Sequence, residues 1–138
     1  MLAKYGIAYL ATGLSFAAID AAWLSRMGPT FYKSQLGEMM LARPRFDAAI
    51  AFYLIYIAGI VFFAVAPAFG HGGTGWKTAL GYGAVLGFFA YATYDLTNRA
   101  TLSTWPWKLT LIDMAWGTFL TGAAATAGYL VTKLIIRA

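Results

Sequence analysis

Aspartates within long apolar stretches are the residues of this sequence best suited to chemistry. Asp20 lies near the end of the first stretch, and Asp95 lies near the end of the third. Asp113 lies just inside the fourth stretch, and Asp47 opens the second. A chain that crosses a membrane up, down, up and down would bring these positions to one level. An ionisable side chain in hydrocarbon costs about 2.5–3.5 kcal/mol and usually faces a bundle interior or a wet cavity, so the pattern predicts where a site lies.

The depth of three of these acids follows from the helix rise of about 1.5 Å per residue. Each lies a few residues from a basic residue at the expected membrane boundary, which places all three about 6–9 Å inside it. The pairs are Asp20 with Arg26, Asp95 with Arg99, and Asp113 with Lys108. Asp47 has a complete local explanation instead, because a carboxylate in the first turn of a helix accepts hydrogen bonds from free backbone N–H groups.

Aromatic and amide side chains follow these acids at helical spacing, which places them on the same helix faces. Gly117, four residues after Asp113, is expected to leave room beside that carboxyl. The pattern predicts a pocket with acids at its floor and aromatic walls. The predicted ligand-binding or proton-exchanging residues are Asp20, Trp23, Tyr91, Tyr94, Asp95, Asn98, Asp113 and Trp116.

Such a pocket would suit proton exchange, general acid–base work, or binding of a cationic or hydroxylated ligand. A structural alternative is that the acids and Asn98 only hydrogen-bond across helices and fix the register of the bundle. We favour the functional interpretation, because three convergent acids exceed what packing needs. The spacing carries no D-x-D-x-D-G signal of a calcium loop, and no catalytic residue can be named.

Composition indicates an integral membrane protein and excludes several kinds of site. Of 138 residues, 61% are hydrophobic and only 11% are charged, against about 25% charged in soluble domains. The chain has no cysteine, and its single histidine, His71, lies in a glycine-rich turn where a solvated loop residue is expected. We therefore expect no cofactor and no metal site. The net charge of +5 comes from residues that flank the apolar stretches, so we expect the lipid bilayer as a partner and no nucleic acid.

The apolar stretches predict one all-α domain, residues 1–138, that forms a four-helix transmembrane bundle. The segment between the first two spans has apolar residues at helical spacing. It predicts a short helix that lies in the membrane interface or covers the open end of the bundle. Gly83 and Gly87 predict close contact between the third and fourth helices. The predicted spans are residues 5–24, 46–69, 79–98 and 105–134.

The distribution of basic residues gives a slight preference for one orientation. The first and third loops hold six Lys or Arg residues, against four in the second loop and the two terminal segments. Because cytoplasmic loops carry an excess of Lys and Arg, the first and third loops are expected to be cytoplasmic.

The sequence resembles a family of small bacterial inner-membrane proteins of unknown function. The resemblance is carried by residues 90–106, with the string YDLTN at 94–98, and by Asp113, Trp116 and Gly117. The pairs Asp20 with Trp23 and Phe31 with Tyr32 fit the same pattern. The resemblance implies a four-helix fold and an inner-membrane location, but it implies no activity.

Three functions remain open at this point. The first is a module that binds or transports a small polar or lipid-like ligand, with proton coupling through the acids. The second is a membrane enzyme acting on a lipid or hydrophobic metabolite, although the chain lacks a cysteine and a nucleotide-binding loop. The third is an accessory or assembly subunit, in which the aspartates pair with cations of a homo-oligomer or a membrane-complex partner.

Overall fold

Four long helices make up the protein. The computed structural model describes residues 2–70 and 74–137, so the predicted loop residue His71 lies outside the described residues. No strand occurs within the described part of the chain, which confirms the predicted all-α membrane bundle. Three of the helices are long and apolar enough to cross a membrane: α1, α2 and α4. The helices are α1 (Leu2–Met39), α2 (Phe46–Ala68), α3 (Gly75–Thr101) and α4 (Trp107–Arg137).

A bend near one end of α1 folds the end of this helix over the bundle. The helix passes through a π-helical turn at Gly28–Tyr32, with Pro29 at its start. In a straight helix, Asp20 and Met40 would lie about 30 Å apart. Both residues instead line one cavity of about 280 Å³, so the chain must turn between them. Gly, Pro and π-helical turns are the usual causes of such bends, and Gly37, with a φ of 60°, is a further break between the two residues. Leu36 and Met40, from the segment between the first two spans, line the cavity.

Close packing of α3 against α4 depends on glycines, as Gly83 and Gly87 predict. A Cβ on Gly83 would lie 2.8 Å from the Ala125 Cβ, and a Cβ on Gly87 would lie 2.4 Å from the Gly117 carbonyl oxygen. Neither distance is tolerated by real side chains, so only glycine allows this approach. Small residues take this role in membranes because lipid provides no hydrophobic drive for association.

The core between α1, α2 and α4 is built from both aromatic and small residues. Phe16 is fully buried and packs edge-on against Tyr53 and Tyr56 of α2, at centroid distances of 5.1 and 5.6 Å. Nearer the N-terminal end of α1, Thr12 approaches Gly128 so closely that an added Cβ would lie 1.9 Å from the Thr12 hydroxyl oxygen. These contacts hold α1 against α2 and α4.

Candidate functional site

Asp20 links α1 to two other helices through its two carboxylate oxygens. The Tyr53 hydroxyl of α2 donates a hydrogen bond to Oδ2. The Trp116 indole Nε1 of α4 donates to Oδ1 at 3.1 Å. Asp20 is only 7% exposed, and both of its donors are neutral side chains. The carboxylate is therefore held in place without an ion pair to either donor.

Asp113 is connected to the bend of α1 by a chain of hydrogen bonds. The Tyr32 hydroxyl donates to Asp113 Oδ1 at 2.6 Å, and the Trp23 indole Nε1 donates to the Tyr32 oxygen at 3.0 Å. Trp23 also stacks on Trp116, with ring centroids 4.1 Å apart and an interplanar angle of 7°. These contacts fasten the covering segment of α1 onto α4.

Asp95 of α3 is the acid with the fewest partners. Its side chain is fully buried, and among the described residues neither of its carboxylate oxygens accepts a hydrogen bond. It lies close enough to Asp113 and Trp105 to interact with both. The Trp105 indole N–H is likewise buried with no acceptor in the described part of the chain. Asp95 and the Trp105 N–H therefore lie near each other without reaching hydrogen-bond geometry, and unpaired buried polar groups of this kind are destabilising.

Asp20 and Asp113 open into the same cavity, whose volume is about 280 Å³. Aromatic rings form its walls, and aliphatic side chains of α1 and of the segment after it close its outer side. None of the described residues that line it is Lys or Arg. The lining residues are Asp20, Leu24, Tyr32, Leu36, Met40, Tyr91, Tyr94, Trp105, Asp113 and Trp116.

Two cations near the site in sequence, Arg99 and Lys33, have other partners. Arg99 donates from Nη1 to the Trp105 carbonyl oxygen at 3.0 Å, and its guanidinium lies 5.0 Å from the Trp107 ring centroid. Lys33 donates from Nζ to the Gly37 carbonyl oxygen at 3.1 Å. Across residues 2–70 and 74–137, no group of three or more His, Cys, Asp or Glu side chains is arranged to hold a metal ion.

The space beside Gly117 is occupied, and the expectation of room at this point is wrong. A Cβ at Gly117 would lie 2.1 Å from the Tyr91 ring. Glycine is needed here because the ring of α3 lies directly on the backbone of α4. The missing side chain serves to seat Tyr91 in the wall of the cavity, so Gly117 itself adds no free volume for a ligand.

The structure brings most of the predicted site residues together. Five of them line the cavity: Asp20, Tyr91, Tyr94, Asp113 and Trp116. Of the remainder, Trp23 stacks behind Trp116, and Asp95 lies beside Asp113. Asn98 lies outside the set of lining residues and neighbours Tyr94 one turn earlier on α3.

Asp47 does not join the other three acids. It is exposed in the first turn of α2, where its Oδ1 accepts a hydrogen bond from the Ala48 backbone N–H at 2.7 Å. This is the local, helix-terminal environment that its position in the sequence indicates. Asp47 therefore lies outside the cavity and can serve as a control for changes to Asp20 and Asp113.

Three aromatic residues that the sequence argument did not select are central to the site: Tyr32, Tyr53 and Trp105. Tyr53 is 33 residues from Asp20 in sequence, and Tyr32 is 81 residues from Asp113. Spacing rules for one helix cannot join such pairs. The position of Trp105 could have been predicted from the sequence. It directly precedes Pro106, just before α4, where a ring can fold back over the end of α3.

Helical architecture, apolar spans and buried acids define an integral membrane protein. Residues 5–130 match the family described as "Predicted membrane protein (DUF2177)", a family of unknown function, and the chain belongs to that family. No curated protein and no solved structure matches the chain.

Proposed function

We propose that the protein binds a small ligand that carries a protonated amine or hydroxyl groups. The observation that carries this proposal is that Asp20 and Asp113 line one aromatic-walled cavity whose described lining contains no cation. Carboxylates accept hydrogen bonds only, so they select a ligand that donates. Aromatic faces attract a cation that is removed from water, which favours the amine over the neutral alternative.

The size of the cavity limits the ligand group that fits inside it. Ligand pockets usually measure about 300–1,000 Å³, and this cavity of about 280 Å³ is slightly smaller than that range. Leu24, Leu36 and Met40 contribute apolar surface at its outer side. The fitting group is therefore a compact polar head with a short apolar part.

We place this binding protein in the bacterial inner membrane, which its chain crosses several times. Support comes from the family to which it belongs and from three helices with the length and composition of membrane spans. The excess of Lys and Arg in the first and third loops favours a cytoplasmic location for the end of the bundle that carries the cavity.

The proposal is tested by calorimetric titration of the protein in lipid nanodiscs with butylamine, butanol and butyrate. We expect butylamine to bind, butanol to bind more weakly, and butyrate not to bind. Asp113→Asn and Asp20→Asn should each lower butylamine affinity by about tenfold or more, because a hydrogen bond to a charged group contributes about 1.5–3 kcal/mol. Asp47→Asn is the matched control and should bind like the wild type. Equal binding of butyrate, or wild-type affinity in both cavity variants, would overturn the proposal.

A specific observation also favours proton coupling of this binding. Asp95 and Asp113 lie side by side, and Asp95 lacks a hydrogen-bond donor among the described residues. A proton held between the two acids would supply that donor, and an arriving amine would displace it. Butylamine binding in a weakly buffered solution with a pH indicator should then release protons, and Asp95→Asn should abolish the release. Proton release that persists in Asp95→Asn would exclude this coupling.

A further inference from the structure

An apolar groove of about 470 Å³ runs along the lipid-facing junction of α1 and α2. Small, aliphatic and aromatic residues of the two helices form its walls together with Pro44, and Asp20 is the one acid among the described residues that line it. Asp20 and Leu24 also line the polar cavity, so the two spaces meet at these residues. The groove is lined by Gly13, Ala17, Asp20, Leu24, Pro44, Phe46, Ala49, Ile50, Tyr53, Leu54 and Ile57.

The Asp20 carboxylate forms the partition between the groove and the cavity. Its Oδ2 accepts the hydrogen bond from Tyr53, which lines the groove. Its Oδ1 accepts the hydrogen bond from Trp116, which lines the cavity. A polar head that binds Asp20 from the cavity side can therefore keep its apolar part on the groove side, because the two spaces share Asp20 and Leu24.

We infer that the occupant is a membrane amphiphile whose protonated amine lies in the cavity and whose alkyl chain lies in the groove between α1 and α2. The inference rests on the proposed function and names the class of ligand for the same site. From Asp20 to Gly13 the groove follows α1 for about 10 Å, which is long enough for several methylene groups of an alkyl chain. The amphiphile reaches the site sideways from the bilayer, past the Asp20–Tyr53 hydrogen bond.

The charge of the cavity decides which head group the amphiphile carries. Phosphate groups in proteins are held by Arg, Lys or helix N-termini, and the described lining of the cavity offers neither Arg nor Lys. A phosphate would face Asp20 and Asp113 without a counter-charge. The structure therefore favours an amine amphiphile without a phosphate over a phospholipid.

The test compares dodecylamine with butylamine, which shares its head, and with dodecyl phosphate, which shares its chain. Binding is measured in nanodiscs on wild type and on Ala17→Trp, which fills the groove and leaves the cavity lining unchanged. Ala51→Trp is the control, because Ala51 is exposed on α2 outside the groove. Ile50→Trp, at an exposed groove position, is a second filling variant in case Ala17→Trp does not fold.

We expect dodecylamine to bind wild type at least tenfold more tightly than butylamine and dodecyl phosphate to compete poorly. Each filling variant should lower the affinity for dodecylamine at least tenfold more than the affinity for butylamine, whereas Ala51→Trp should change neither affinity. A dodecylamine with a photoreactive group at its chain end should cross-link near Gly13 and Ile57.

Three results would overturn the inference. If both amines bind equally and the filling variants do not separate them, the chain has no place in the groove, although the proposed function stands. If dodecyl phosphate binds as well as dodecylamine, the amine chemistry is wrong. If neither amine binds, the proposed function fails, and the inference fails with it.

Discussion

Two regions of this bundle are packed in opposite ways. In the glycine region, Gly83, Gly87 and Gly128 allow helix backbones to approach until no side chain fits between them. In the carboxylate region, Asp20, Asp95, Asp113 and their aromatic partners keep the same helices apart around a cavity of about 280 Å³. The helices α1, α3 and α4 contribute to both regions. The difference therefore comes from side-chain size and polarity, not from a change of fold.

The comparison distinguishes residues that stabilise the bundle by packing from residues whose burial costs stability and indicates a different role. Close contact of small residues gains dispersion energy and interhelical packing, which drive association in lipid. A buried acid without a donor gives no such gain and costs desolvation energy. Changes in the glycine region should therefore alter stability alone, and changes in the carboxylate region should alter binding more than stability.

The largest expected effect belongs to Gly87→Val in the glycine region. The added side chain would meet the Gly117 carbonyl oxygen at 2.4 Å, and a backbone atom cannot move aside without separating α3 from α4. Overpacking of this kind costs about 3 kcal/mol. The measurement is the unfolding free energy in bicelles titrated with a denaturing detergent. Gly81→Val on the same helix is the control, because a Cβ there meets nothing within 4 Å. An equal loss in both variants would show that valine in α3, and not the contact with α4, is responsible.

Gly117→Ala tests the border between the two regions. The new methyl group would lie 2.1 Å from the Tyr91 ring, so the ring must leave its place in the cavity wall. We expect a loss of about 2 kcal/mol in stability and a loss of butylamine binding. In the double variant with Tyr91→Ala, the two stability losses should couple by about 1–2 kcal/mol, because the clash is removed. If the stability losses of the two single variants simply add in the double variant, the Tyr91 ring does not lie against Gly117.

Asp95→Asn should show that the carboxylate region is not built for stability. Asp95 is fully buried beside Asp113 and accepts no hydrogen bond within the described chain. An amide at this position would donate to Asp113 permanently, whereas the acid donates only while it holds a proton, so we expect the unfolding free energy to rise by about 1 kcal/mol. Detergent-induced unfolding of the variant beside the wild type measures this change. A loss of more than 1 kcal/mol would mean that Asp95 has a structural partner.

The bundle could be predicted from sequence because each of its signals is local. The apolar stretches that became α1, α2 and α4 have spanning length and composition, and the spacing of Gly83 and Gly87 lies within α3. The same local argument placed Asp20 and Trp116 on the correct faces, since both residues line the cavity.

The part that could not be predicted depends on contacts between helices and on the bend of α1. Tyr53 reaches Asp20 from α2, and Tyr32, in the π-helical turn of α1, reaches Asp113 of α4. No periodicity within one helix encodes either contact. The interpretation of Gly117 failed for the same reason, because its contact is a ring from another helix. A glycine beside a candidate site can indicate a neighbouring side chain as well as an empty space.

The smallest expected stability effect gives the sharpest comparison between the regions. Tyr32→Phe removes a hydrogen bond of 2.6 Å to Asp113 in the carboxylate region. Tyr56→Phe removes one of 2.8 Å to Thr121, which contacts Gly87 in the glycine region. Interhelical hydrogen bonds in membranes contribute about 0.6 kcal/mol on average, so both variants should lose about that much stability. Only Tyr32→Phe should change butylamine affinity, because Asp113 lines the cavity and Thr121 does not. If Tyr56→Phe changed that affinity equally, the two regions would be coupled, and the separation of binding from packing would be wrong.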